Sequence, residues 1–156
     1  MQPSEVLVAE ETPFDNIGLL LSLASAQGVA AANAVLRPRE LSSRSYSLLE
    51  LLHHADAVSQ RGLADALRLD PSQIVSLVDG LERRGLVERR PNPDDRRQRS
   101  VVLTDAGRDV FGEARTLVAE SLDEVLSGLS PEERGTLRAL LQRVVRHGAA
   151  RPDNAS

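Results

Sequence analysis

The 156 residues include no cysteine, which excludes disulfides, thiolate metal sites and cysteine redox sensing. No Gly-rich phosphate loop and no nucleophile elbow is present. Only three histidines occur, and His53 and His54 are adjacent. Their side chains diverge by about 100° on a helix, so they read as a polar helix end, and neither a metal site nor a cofactor is expected. Asp94-Asp95 is a turn pair, not a buried carboxylate dyad. These absences leave no basis for catalysis, and the chain is expected not to be an enzyme. No signal peptide is visible, and no apolar run reads as long and uncharged enough for a membrane span, so a cytoplasmic protein is expected. Lysine is absent too; all 19 basic residues are arginine, and net charge is −4. Any positive surface must therefore be local.

What is present concentrates between Leu63 and Thr104. A helix is predicted to start at Asp70-Pro71-Ser72-Gln73, with Asp70 as N-cap, Pro71 at the first helical position and Gln73 completing a capping-box pattern. Ile74, Leu77, Val78 and Leu81 recur at helical spacing and bury one face. Ser72, Gln73, Val75, Ser76 and Asp79 fall on the other. Gly85 is placed to stop the helix. A short capped helix with one anchored and one polar face suits a DNA major groove.

Leu86–Arg90 and Arg99–Leu103 read as antiparallel strands joined by a loop through Pro91–Arg97. From Arg83 to Arg99 seven arginines face three acids. An arginine-tipped hairpin beside a helix-turn-helix is a winged helix, with its tip suited to phosphates or a narrow minor groove.

The runs Leu67–Gln73, Leu77–Val87 and Asp95-Arg96-Arg97, with Leu103-Thr104-Asp105-Ala106-Gly107, resemble the MarR family of bacterial transcription regulators. The resemblance spans roughly Asp15 to Arg146. It implies a homodimer that reads double-stranded DNA with the recognition helix and wing, and it leaves room for a small-molecule effector between the DNA-binding and dimerisation parts. Arg97 matches the family's minor-groove wing arginine and Asp95 the acid that braces it. Ser76 and Gly80 stand where relatives often carry basic residues, so DNA affinity is expected to lean on the wing. Gly80 also costs about 1 kcal/mol in a helix interior.

The expected architecture is mainly α with a small β-wing, a winged helix-turn-helix flanked by dimerisation helices. Residues 1–11 read as a flexible tail, 12–40 as an N-terminal dimerisation helix capped by Thr12, 41–103 as the DNA-binding region, 104–148 as C-terminal dimerisation helices and 149–156 as a second tail. Ser43, Ser59, Thr104 and Ser130 are predicted N-caps, and the helix from Thr104 is expected to carry Leu129. The first helix is more apolar than one packed face requires. It is either buried in a dimer or also lines a ligand pocket.

Ser72 and Gln73 at the helix start, Val75 and Ser76 on its exposed face, and Asp95, Arg96, Arg97 and Arg99 in the wing are the candidate DNA contacts. Gln73 is either a base reader or a plain cap, and Val75 is suited to a thymine methyl. Arg96 and Arg99 suit phosphates. Arg83, Arg84, Arg89 and Arg90 read as surface ion-pair partners, with Asp79 serving Arg83. Tyr46, Leu49, Phe111 and Arg37 are the candidate effector site, against the alternative of a dry core. A pseudo-palindromic operator follows from a two-fold dimer of this kind, and the expected role is that of a repressor. The competing reading is a winged-helix dimer that serves protein–protein contacts without DNA.

Overall fold

The computed structural model describes residues 16–92 and 94–149. The expected tail 1–11, the Thr12 cap and residues 150–156 lie outside them. Helix α1 spans Ile17–Leu36 and a 3₁₀ turn Arg37–Arg39; α2 is Ser43–His54, β1 Val58–Ser59, α3 Gln60–Leu67 and α4 Pro71–Arg83. Strands β2 (Val87–Pro91) and β3 (Arg99–Leu103) follow, then α5 (Asp105–Val125) and α6 (Pro131–Ala149). This is the mainly helical winged helix-turn-helix that the sequence predicts.

The caps explain most boundaries. Ser59, Thr104 and Ser130 cap their helices as expected, accepting from Gly62, Gly107 and Glu133 N–H respectively. Helix α2 is capped one residue earlier than predicted. Ser42 Oγ accepts from Ser45 N–H, and Ser45 Oγ accepts from Ser42 N–H at 2.8 Å. That reciprocal pair satisfies two amides, which Ser43 alone cannot. Leu129 is not on α5, which ends at Val125. Arg134 closes that corner, donating to the carbonyls of Leu126 and Leu129 and to the Asp123 carboxylate. Helix α6 continues through Gly148 to Ala149, beyond the frayed end expected there.

The core gathers Leu36, Leu48, Leu49, Leu52, Leu63, Ile74, Val78, Val101 and Phe111 around the small sheet, whose strand order is β1-β3-β2. All pairings are antiparallel; Val58 faces Val101 and Arg89 faces Val101 from the other side.

One expectation fails at α1. Its twenty residues carry no charge, so by length and composition it could cross a membrane. Its polar residues are amides and hydroxyls, which interrupt the apolar run without charging it. Within the fold it packs on α5, burying Ala32 and Leu36, and Asn33 Oδ1 accepts from Ser43 N–H at 2.8 Å. Its first half is bare, with Ile17, Leu19, Leu20, Leu21 and Leu23 exposed. Helix α6 buries none of its described side chains and exposes Leu140, Leu141, Val144 and Val145.

The joint between wing and α5 explains two motifs at once. Gly85, at φ +70°, ends α4; its N–H bonds Glu82 O, and Leu86 N–H bonds Leu81 O. This pair of bonds is the Schellman pattern, which needs a left-handed residue. Leu86 O then accepts from Thr104 N–H at 3.1 Å, and Thr104 Oγ1 donates to Gly85 O. A Cβ on Gly107 would lie 2.0 Å from Leu86 O. Glycine is therefore required at the end of Leu-Thr-x-x-Gly for a steric reason. Gly80 has open space around it. Gly107→Ala should lower stability by about 2–3 kcal/mol, while Gly80→Ala should raise it by roughly 0.5–1 kcal/mol. Urea denaturation midpoints at fixed protein concentration check both signs.

Candidate nucleic-acid interface

Helix α4 hangs on Ile74, Val78 and Leu81, all buried. At about 100° per residue, the opposite ridge is formed by Ser72, Ser76 and Arg83, with Val75 and Asp79 to one side and Gln73 and Gly80 to the other. Ser72, Val75 and Ser76 are exposed, as expected of groove-facing residues, and Gln73 is half-buried. Gln73 Oε1 accepts from Asp70 N–H at 3.2 Å, so its carbonyl serves the cap in this structure. Its amide nitrogen retains two donors.

The far end of α4 is anchored through Arg84. Its guanidinium donates to Glu40 O at 2.8 Å and to Arg39 O at 3.0 Å. Glu40 has φ +54°, a left-handed conformation, and the Arg39–Glu40 carbonyls form a pair that one planar fork can bridge. The segment after α1 is thus tied directly to the end of the recognition helix. Arg84, expected among the surface ion-pair partners, instead donates to backbone carbonyls.

Strand β2 is fastened to α4 by Arg89. Its guanidinium meets Asp79 Oδ1 and Glu82 Oε2, both at 2.6 Å, and donates to Gln60 Oε1 of α3 at 3.0 Å. Glu82 Oε1 also accepts the Arg89 backbone N–H at 3.0 Å. Asp79 therefore pairs with Arg89, not with the Arg83 predicted from helical spacing. A strand running alongside α4 brings a guanidinium that satisfies two carboxylates and an amide together, more than an i,i+4 pair offers. The Arg89 side chain is 13% exposed. Its burial disfavours the charge, but the hydrogen bonds to Asp79 and Glu82 outweigh that and hold its pKa above the ordinary value. Glu82 is held below the usual carboxylate range, first by the Arg89 backbone N–H and then by its guanidinium.

At the wing tip, Arg96, Arg97 and Arg99 are exposed. Asp95 Oδ1 accepts the backbone N–H of Arg97 at 3.0 Å, and Asp95 O accepts Gln98 N–H. The brace expected from Asp95 thus acts on the turn backbone, with no ion pair to the Arg97 guanidinium among the described residues. The turn is held while the Arg97 side chain stays free to reach outward. Arg90 leans back on Glu88 at 3.3 Å.

Three of the four candidate effector residues come together, inside the core. Tyr46 and Phe111 stack at 5.5 Å between centroids, and Leu49 is fully buried nearby in the same cluster. His53, expected at a polar helix end, lies 4.8 Å from the Phe111 ring. Burial raises the Tyr46 pKa, and the Glu50 charge adds to this while Arg115 opposes it. Arg37 is exposed and borders a separate concavity of about 400 Å³ with Glu40, Ser42, Gly80 and Arg84.

A helix-turn-helix whose second helix bears a polar ridge, followed by an arginine-tipped antiparallel wing, defines the winged-helix class of nucleic-acid-binding folds. The sequence profile of the MarR family matches residues 41–98. A crystal structure of a MarR-family transcriptional regulator from Rhodococcus sp. RHA1 is 38% identical, with 87% of this chain and 96% of that chain covered at TM-score 0.81. The chain belongs to the MarR family of transcriptional regulators. CouR from Rhodococcus jostii RHA1, solved bound to p-coumaroyl-CoA, is 36% identical over the same 87% and 96%, at TM-score 0.77. A mutant MarR from Escherichia coli, solved with operator DNA, is 27% identical over 82% of this chain and 92% of that one, at TM-score 0.72. The putative transcriptional regulatory protein for the hcr operon of Thauera aromatica is 34% identical; the match covers 70% of this chain and spans 66% of that relative's length.

Arg89→Ala should cost about 1–2 kcal/mol, since both carboxylates keep access to water. Because the Glu82 pKa is lowered on folding, its stabilisation is complete above the ordinary carboxylate value of about 4.3 and is lost as pH falls through the lowered value. Denaturation curves of wild type and Glu82→Gln should therefore differ at neutral pH and converge in acid.

Proposed function

We propose that this chain is a homodimeric repressor that binds a pseudo-palindromic operator in double-stranded DNA and is released by a small aromatic or apolar ligand. The observation that carries the reading is the pairing of an α4 ridge exposed at Ser72 and Ser76 with a wing tip that leaves Arg96, Arg97 and Arg99 exposed. The relative solved with operator DNA supports the DNA partner, and the one solved with p-coumaroyl-CoA supports a ligand. The operator would lie on chromosomal DNA, in the cytoplasm.

In this reading residues 41–103 bind DNA. Ser72 and Gln73 engage phosphates and base edges at the helix start, where backbone amides point outward. Val75 and Ser76 meet the major groove. Arg97 enters the minor groove, Asp95 holds its turn, and Arg96 and Arg99 hold phosphates. Two copies of α4 enter successive major grooves, about 34–36 Å apart.

The segments 12–40 and 104–148 hold the two copies together. A groove of about 750 Å³ between α5 and α6 combines an apolar lining, including Leu122, Leu126, Leu137 and Leu141, with polar side chains such as Arg138 and Gln142. The bare leucines of α1 and α6 are the surface a second copy would cover. An aromatic ligand would act by parting the Tyr46–Phe111 stack from Leu49.

Sedimentation at micromolar concentration should give a dimer, and Leu141→Glu should give monomer or unfolded chain; a wild-type monomer would end the dimer reading. Binding to the DNA upstream of its own gene, followed by gel shift, tests the operator. Arg97→Ala should weaken that binding at least tenfold with fold and dimer intact, and more strongly over A·T-rich sequence under the wing. No retardation of that DNA by wild type would favour a protein–protein module instead.

A further inference from the structure

The two flanks of α4 are unlike. On the β2 side Arg89 is committed to Asp79, Glu82 and Gln60. On the other side stands Arg44, the second residue of α2. It borders a shallow concavity of about 300 Å³ whose other walls are Ser72, Gln73, Ser76 and Leu77. Arg44 is exposed and forms no ion pair among the described residues.

The charge on α4 itself is sparse. From Pro71 to Leu81 its only ionisable side chain is Asp79, and its first cation is Arg83 in the last turn. The half of the helix that leads into a groove thus has no cation of its own. Arg44 delivers one to that half from a neighbouring helix, and the charge is not spent on a carboxylate. Its place on the flank of the ridge matches the geometry of duplex DNA, where phosphates form the walls of a groove and base edges its floor. A guanidinium presents a planar fork suited to phosphate oxygens.

We propose that Arg44 is a phosphate-binding residue, which supplies from α2 the backbone contact that α4 lacks. The proposal rests on the DNA-binding reading above and extends it to a residue outside the recognition helix and wing. Duplex DNA would then be gripped by α2 and the wing, with the serine ridge of α4 between them.

Fluorescence anisotropy with two labelled duplexes, the DNA upstream of the gene and a scrambled sequence of equal length, tests this across a salt series. Arg44→Ala should weaken binding to both duplexes by a similar factor, about tenfold at moderate salt. The slope of log affinity against log salt should shrink by about one unit. Arg44→Lys should keep most of the slope. Ser76→Arg added to Arg44→Ala should restore it, because it returns a cation to the same concavity from the opposite wall. The urea midpoint of Arg44→Ala should match wild type. Wild-type affinity and slope in Arg44→Ala, while Arg97→Ala binds poorly, would overturn the proposal and leave the DNA reading standing. An affinity loss with an unchanged salt slope, or confined to the upstream duplex, would also overturn it. Failure of wild type to bind either duplex would overturn both.

Discussion

The backbone of Leu86 is the joint on which the molecule turns. Its N–H closes the end of α4 on Leu81 O, and its carbonyl accepts the N–H of Thr104, where α5 begins. Its side chain is buried with the core, and β2 leaves immediately after it. Gly107 carries no Cβ, and only that lets the first turn of α5 approach the Leu86 carbonyl. Three elements, α4, β2 and α5, thus meet at one residue whose backbone N–H and C=O are both bonded. A buried backbone group that lost its partner would cost about 1–3 kcal/mol, so the arrangement is strongly specified. The short motifs around it follow from this. Gly85 is the left-handed residue that aims Leu86, Thr104 bonds both Gly85 O and the Gly107 N–H, and Gly107 clears the space.

Arginine does several different jobs in a chain that has no lysine. Arg84 and Arg89 are structural: one ties α4 to the carbonyls that follow α1, and the other ties β2 to α4 and α3. Arg134 closes the α5–α6 corner. These three use the planar fork to bridge two or more acceptors, which a point-like ammonium does less well. Arg96, Arg97 and Arg99 lie exposed on the wing. The acidic balance of −4 is compatible with this division, because structural arginines bring their own acceptors and leave the free ones concentrated.

Local features were legible in the sequence because their causes are local. Caps at Ser59, Thr104 and Ser130, the glycine stop at Gly85 and the hairpin strands each depend on residues within a few positions. The recognition helix and wing were placed correctly for that reason. Side-chain partners across elements were not legible. Helical spacing suggests Arg83 for Asp79, but Arg89 arrives from a strand ten residues away and takes it. The Arg84 contacts span more than forty residues, and no pattern of charge announces a backbone acceptor. Ser42 and Ser43 are chemically equivalent as caps, and the choice falls to Ser45 three residues beyond the first. The uncharged run of α1 is written letter by letter in the sequence, but its hydroxyl and amide residues lower its apparent apolarity without adding a charge.

That run also carries a physical demand. An exposed helix bearing Leu19, Leu20, Leu21 and Leu23 with no charged face is unfavourable in water, as contiguous apolar surface of this kind is rare on monomers. Its second half is satisfied by α5, through Ala32, Leu36 and the approach of Gly28 to Leu122. The first half, and the face of α6 that carries Leu140, Leu141, Val144 and Val145, are not. On the dimer reading one event covers both, and α5 connects that cover to the Leu86 joint. Its 21 residues form a rod of about 31 Å. On that same reading, a change in packing at its α6 end would reach Leu86 as a tilt of the rod. Since Leu86 fixes the end of α4, that helix would follow. DNA binding would then respond to the subunit interface through the relative populations of two arrangements, with no change in the DNA-facing side chains.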